Sequence, residues 1–215
     1  MERCDCSQRE QCLPRAPIGV AILGPFEKWT PLLPELSRQY RENQPCPHIH
    51  LTDFIDSKWA RAMASDFPRH RTEAWTHYKH HNENKLGLSK RGLFPSTLGQ
   101  LVDELNSPQV VEWVSQLVGI PHLLADEMLE GGGLHQCSRG GFLNLHTDFS
   151  THHYHKHWRR RVNLILYLNP TWREDWGGAL ELWGHFHEAL RREVPASAES
   201  CGHLYNRRAL APRLT

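Results

Sequence analysis

The residues best placed to do chemistry together are His146 and Asp148, in the run Phe142-Leu143-Asn144-Leu145-His146-Thr147-Asp148-Phe149. If this run is a strand, side chains alternate with period two, and the imidazole and the carboxylate emerge on one face. A histidine nitrogen beside a carboxylate oxygen is two thirds of the two-His-one-carboxylate arrangement that holds non-haem Fe(II) and leaves positions open for substrate and O2. The pair alone says little. The chain contains 16 His, and an isolated His-x-Asp is also what a solvated strand end offers.

The order of the neighbours gives the pair its weight. Gly131-Gly132-Gly133-Leu134-His135-Gln136 and Gly140-Gly141 lead into it. Arg159-Arg160-Arg161 and the strand-like Val162-Asn163-Leu164-Ile165-Leu166-Tyr167-Leu168-Asn169 follow, then Trp172, Trp176, Gly177-Gly178 and Ala179-Leu180-Glu181-Leu182-Trp183. In this order the segment resembles the iron(II)- and 2-oxoglutarate-dependent dioxygenases of the prolyl-4-hydroxylase type. The resemblance implies an α+β, mainly β fold: a double-stranded β-helix (a cupin-like jelly-roll barrel) with N-terminal helices supporting its larger sheet. It implies that His146 and Asp148 are the catalytic Fe(II) ligands. It also implies that 2-oxoglutarate and O2 are converted to succinate and CO2 as a substrate is hydroxylated, with ascorbate as reductant of over-oxidised iron. The residues that bind 2-oxoglutarate are not assigned. The substrate, small-molecule or peptidyl, stays open between a prolyl-like group, an amino acid and a small metabolite, because substrate contacts come from variable loops. The alternative is a non-catalytic degenerate barrel or a metal-binding module.

The resemblance further implies a second iron-binding histidine after Trp183, followed by a basic residue pairing with the distal carboxylate of 2-oxoglutarate. The tail offers His185, His187 and His203. The first two come early, and His203 lacks matching neighbours in Gly202 and Leu204-Tyr205-Asn206. The third ligand is therefore expected to be absent, with His203 the remaining candidate, the C-terminal strands missing and the activity of this chain impaired. The run Glu199 to Leu214 has little strand pattern and much Arg. Codons permitted for it, read one base later, can encode Asn-Arg-Val-Val-Ile-Phe-Thr-Thr-Asp-Ala-Leu-Ser-His-His-Gly-Leu, which resembles the family's missing strand and ligand. Residues 184–215 are accordingly read as an aberrant tail, out of frame after Trp183.

Other polar clusters read more simply. His152-His153-Tyr154-His155-Lys156-His157 is expected to be a solvated loop over the site mouth, with a second metal site as the alternative, and Arg159, Arg160 and Arg161 lie at its base, one of them able to meet an anionic substrate group. Asn144 shares the expected face of His146 and could donate to a substrate or a ligand. Trp172 and Trp176 read as rim packing. Of the six Cys, Cys4, Cys6 and Cys12 lack finger spacing for zinc, and Cys137 is expected to be a small buried hydrophobe.

The elements that must position this chemistry are legible in outline. Residues 1–45 form an N-terminal extension in which Pro31 and Pro34 confine a short helix to the later part of Glu27 to Asn43. Residues 46–183 form the catalytic domain, with helical support over 46–130 and the β core over 131–183. His48-Ile49-His50-Leu51 alternates like a strand, and Asp56 caps a helix running to about Asp66. Arg69 to Asn84 reads as an exposed strand and loop. Ser96 or Thr97 is expected to cap a helix over Leu98 to Asn106. Ser107-Pro108 opens another that Gly119 closes, with Val110, Val111, Val114, Leu117 and Val118 as its apolar stripe. Gly131 to Gly133 and Gly140-Gly141 suit tight turns at the barrel rim. At 215 residues with 25 Lys plus Arg against 24 Asp plus Glu, the chain carries no basic field for nucleic acid. No apolar run is long enough to span a bilayer, and the charged N-terminus has no signal-peptide pattern, so no membrane partner and a cytoplasmic location are expected.

Overall fold

The computed structural model describes residues 26–70 and 72–183, and the backbone of two later strands at 191–194 and 201–206. Cys4, Cys6, Cys12, His185 and His187 lie outside the described residues. The chain enters through a single helical turn, α1 (Phe26–Trp29), a 3-10 turn at Thr30–Leu32 and helix α2 (Leu33–Glu42). Pro34 stands in the first turn of α2, where its missing N–H has no intrahelical partner to lose, so the helix occupies the later part of its segment. Strand β1 (His48–Leu51) and helix α3 (Ser57–Asp66) follow. The Asp56 carboxylate caps α3, accepting from Lys58 N at 2.9 Å and from Trp59 N at 3.4 Å.

Strands β2 (Thr76–His80) and β3 (Glu83–Leu88) make an antiparallel hairpin, β2 being exposed along its length. Helices α4 (Ser96–Leu105) and α5 (Pro108–Val118) come next. Helix α5 has the expected ends: Ser107 Oγ accepts from Val110 N, and Gly119 closes the helix in the left-handed region at φ 67°. Helix α4 does not. It already includes Ser96, Pro95 occupies the cap position without a side-chain bond, and the Thr97 hydroxyl donates instead to Asp66 Oδ2 at 2.8 Å. That bond ties α4 to the end of α3, and it outcompetes local capping.

The remaining strands are β4 (Leu134–Gln136), β5 (Phe142–Leu143), β6 (Val162–Tyr167), β7 (Leu180–Trp183), β8 (Arg191–Val194) and β9 (Cys201–Asn206). All pairing is antiparallel and falls into three ladders: β1-β9-β6, β2-β3-β4 with β5 also on β3, and β7-β8. Antiparallel sheet with helices fits the α+β class, but a closed double-stranded β-helix is not evident among the described strands. The expectation that strands are missing after Trp183 is corrected. Strands β8 and β9 form there, and β9 is the central strand of its sheet, with Leu204 opposite both Ile49 and Leu164. Strands β1 and β6 each present a row of backbone donors and acceptors, and pairing them satisfies groups that side-chain pattern does not register.

The main core joins Leu36 and Tyr40 of α2, Ile49 and Leu51 of β1, Met63 of α3, Leu98 and Leu101 of α4, and Val110, Trp113, Leu117 and Val118 of α5. Trp113 was absent from the expected stripe of α5, whereas Val111 and Val114 are only partly buried. Alternation along β6 then divides its side chains. Val162, Leu164 and Leu166 pack on the helix-backed core, while Ile165 joins a separate cluster of Cys46, Leu180 and Leu182. Asn163 is buried and belongs to the side of Ile165. No helix among the described residues is long and apolar enough to cross a membrane.

Candidate functional site

Strand β5 is only two residues long because its partner runs out. Leu143 pairs with Glu83, the first residue of β3, so nothing continues the ladder. The His-x-Asp segment is therefore irregular backbone and not the regular strand expected. Asn144 holds it in place: its N–H donates to Asn82 O at 2.8 Å, and its side-chain Nδ2 donates to His81 O at 3.1 Å, both in the β2–β3 turn. One donor of the Asn144 amide is thus engaged by that turn. Its carbonyl oxygen accepts from His146 Nδ1 at 2.7 Å.

That last bond decides which nitrogen of His146 is left for chemistry. With the proton on Nδ1 facing the carbonyl, Nε2 is the atom that faces Asp148, at 3.4 Å from Oδ1. The two side chains remain partly open, 41% and 21% exposed. The hydrogen bond to Asp148 raises the His146 pKa against the opposing effect of burial. Burial alone would raise the Asp148 carboxyl, but the His146 bond, the Arg160 charge and the Asn163 bond outweigh it and hold the carboxyl well below the usual range. Either a proton or a cation between Nε2 and Oδ1 would satisfy both atoms.

The donor chemistry fits a divalent first-row metal. Ligand bonds of roughly 2.1 Å at right angles separate two ligand atoms by about 3 Å, close to the observed 3.4 Å. The other ring nitrogen donates to a backbone carbonyl and the other carboxylate oxygen is hydrogen-bonded, as ligating imidazoles and carboxylates are. Two donors converge, and among the described residues no group of three does. His203 is placed only by its backbone, on β9 between His50 and Ile165.

Beside the pair lies Asn163, which the sequence did not mark as a site residue, together with Arg160, which it placed at the base of the histidine loop. Asn163 Nδ2 donates to Asp148 Oδ2 at 2.5 Å, and Asn163 Oδ1 accepts from Arg160 Nε at 2.5 Å. The available signal was a polar residue in the middle of an apolar strand, since such a residue is buried only with partners. The Arg160 guanidinium also lies 4.8 Å from the centre of the Phe149 ring. Arg160 is therefore engaged within the site, while Arg159 donates to Thr151 Oγ1 at 2.9 Å at the base of the histidine loop. His135 pairs with Gly87 in the β3–β4 ladder. Although the residue is largely exposed, its ring lies over Gly87, where an added Cβ would stand 3.5 Å from Nδ1. Desolvation there, together with the charges of Lys85 and Arg160, lowers the His135 pKa.

The histidine loop departs from a uniformly solvated lid. His152 is buried, with Nε2 3.3 Å from Asp126 Oδ1 and Nδ1 3.0 Å from Glu130 Oε2. Glu130 also meets His153 Nδ1 and accepts from the His153 N–H. His155 stacks on Trp158 at 4.4 Å, while Tyr154 and His157 are exposed. A short loop with this many ring contacts buries one imidazole against the two carboxylates that the preceding loop supplies. Cys137 is exposed, contrary to the buried role expected of it, whereas Cys46 is buried and its thiol is pushed up to about 11 by desolvation. Trp172 and Trp176 pack edge to face at 5.5 Å, with Trp176 56% exposed.

Residues 132–208 match the family model of the 2OG-Fe(II) oxygenase superfamily. The matched span includes His146, Asp148, Arg160 and Asn163. That segment is thus similar to the superfamily, which implies Fe(II), 2-oxoglutarate and O2. A search of curated proteins finds no match to the chain.

Proposed function

We propose that this protein is a hydroxylase of the prolyl-4-hydroxylase type acting on a small-molecule or peptidyl substrate, with His146 and Asp148 as its iron ligands. The observation that carries the reading is the approach of His146 Nε2 to Asp148 Oδ1 within the span matched to the oxygenase family. Iron, when bound with 2-oxoglutarate, supplies the O2 chemistry: one oxygen atom enters succinate as CO2 leaves, and the other becomes the new hydroxyl of the substrate. The chain's own residues supply the site. Asn144 fixes the imidazole tautomer through its carbonyl, and Arg160 adds positive charge beside the carboxylate. Ascorbate is the proposed reductant.

Anaerobic Fe(II) binding tests the site. In a full-length version of this protein whose frame is not shifted after Trp183, His146→Ala and Asp148→Ala should each abolish stoichiometric binding, because losing one of few ligands leaves too little to hold a labile ion. Unchanged iron content in both variants would overturn the assignment. We propose in addition that residues 184–215 are read in a shifted frame, so that this chain lacks a third ligand and binds iron weakly. Codon compatibility of Glu199 to Leu214 supports this, whereas the family match as far as residue 208 and the pairing of β9 count against it; the nucleotide sequence beyond the codon of Trp183 tests it, and codons that forbid the shifted reading end the proposal.

A further inference from the structure

Asp148 has two oxygens, and only one of them faces His146. Oδ1 lies 3.4 Å from His146 Nε2, while Oδ2 accepts the Asn163 amide at 2.5 Å. The orientation of that amide is fixed from both sides. Arg160 can only donate, so the oxygen of Asn163 must face it, and an ionised Asp148 can only accept, so the NH2 must face the carboxylate. Asn163 is 6% exposed and stands on β6 between Val162 and Leu164, which pack the other way onto the helical core, so its backbone cannot turn to offer alternatives. Arg160 is held in turn by the face of Phe149 at 4.8 Å. Both groups crowd Gly131, where an added Cβ would come within 2.6 Å of Phe149 Cε1 and 2.8 Å of Arg160 Nη1. Gly131, at φ 67°, leaves room for the pair and takes a backbone conformation that other residues rarely adopt.

We propose that Asn163, pinned by Arg160, is a positioning residue that occupies Oδ2 of Asp148 and presents Oδ1 alone beside His146. It makes the aspartate a one-oxygen donor and keeps it from closing on a metal with both oxygens. The step from carboxylate orientation to metal binding rests on the reading of His146 and Asp148 as ligands; the orientation itself does not.

Two measurements separate these parts. In metal-free protein, NMR should show an Asn163 side-chain amide proton shifted downfield and protected from exchange, and it should return to an ordinary shift in Asp148→Ala and broaden in Arg160→Met. An Asn163 amide with ordinary shift and fast exchange in the unmodified protein would overturn the proposal, whatever the metal does. The second measurement is Mn(II) titration of the full chain, counting free ion by its EPR signal, which tolerates weak binding. Asn163→Leu, close in size and without hydrogen bonds, should weaken Mn(II) binding roughly 10–100-fold, the usual effect of losing a ligand's hydrogen-bond partner. Arg160→Met should weaken it less, and the double variant should lose less than the two single losses combined, because part of the Arg160 effect passes through Asn163. If Asp148→Ala abolishes binding while Asn163→Leu binds as the unmodified chain does, the positioning role fails and the ligand assignment stands. If Asp148→Ala changes nothing, the ligand assignment fails together with the step to metal binding. Should Asn163→Leu not fold, Arg160→Met and the amide resonance still decide the outcome.

Discussion

His135 shows how far a residue's behaviour departs from what its type suggests. Its ring lies over Gly87 and near the charges of Lys85 and Arg160, and desolvation and these charges all disfavour its protonated form. An NMR titration of the His135 ring should therefore give a midpoint below the ordinary value of about 6.5. Between that depressed midpoint and the ordinary one, the unfolded chain binds more protons than the folded one. Stability contributed here rises with pH across that window and is lost as pH falls through it. His135→Gln should flatten this part of the stability-pH curve. A ring midpoint at or above the ordinary value would contradict the described environment.

The loops flanking the site are held by side chains that reach across to one another. His152 lies between Asp126 and Glu130, joining the loop before β4 to the histidine loop after the site. Removing the imidazole takes the Nε2 donor from Asp126 and the Nδ1 acceptor from the Tyr154 and His155 N–H groups, so His152→Ala should destabilise the chain by about 2 kcal/mol. His157 is exposed and lies against the rings of His155 and Trp158, so His157→Ala should stay within about 0.5 kcal/mol of the unmodified chain. Urea denaturation of the two variants checks the contrast, and equal effects would contradict it. The same variants should leave metal stoichiometry unchanged, because neither residue belongs to the pair at 146 and 148. Helix α5 offers a calibration at this scale: Ser107→Ala removes its cap and should cost about 1 kcal/mol by the same measurement.

At the scale of the whole molecule, β9 decides whether the sheet beneath the site is continuous. It bonds to β1 on one side and β6 on the other, so among the described residues the two strands that carry His48, Ile49, Leu164 and Asn163 meet through it. A chain ending at Trp183 would leave β1 and β6 with unpaired edges, and such edges recruit other chains. That truncated chain should lose a cooperative thermal transition and scatter light on heating. A soluble truncated monomer with an unchanged midpoint would mean that β9 does not support the sheet.

The sequence by itself determined the local elements and the identity of the pair. Pro34, Asp56, Ser107 and Gly119 set helix ends through backbone chemistry that acts within a few residues, and β1 and β6 follow from apolar patterning. His146 and Asp148 could be singled out because their types and spacing are written consecutively. The tertiary structure decided the rest. Asn163 reaches Asp148, and Arg160 reaches Asn163, only because β6 packs its leucines on the helices and turns the opposite face toward the His-x-Asp segment. The carboxylates beside buried His152 come from Asp126 and Glu130, more than twenty residues away in sequence. Strand β9 arose where patterning gave no sign of it, because two neighbouring strands supplied the backbone partners. Local rules act through the backbone of adjacent residues, whereas hydrogen bonds between side chains are specified by packing, and packing is a property of the assembled fold.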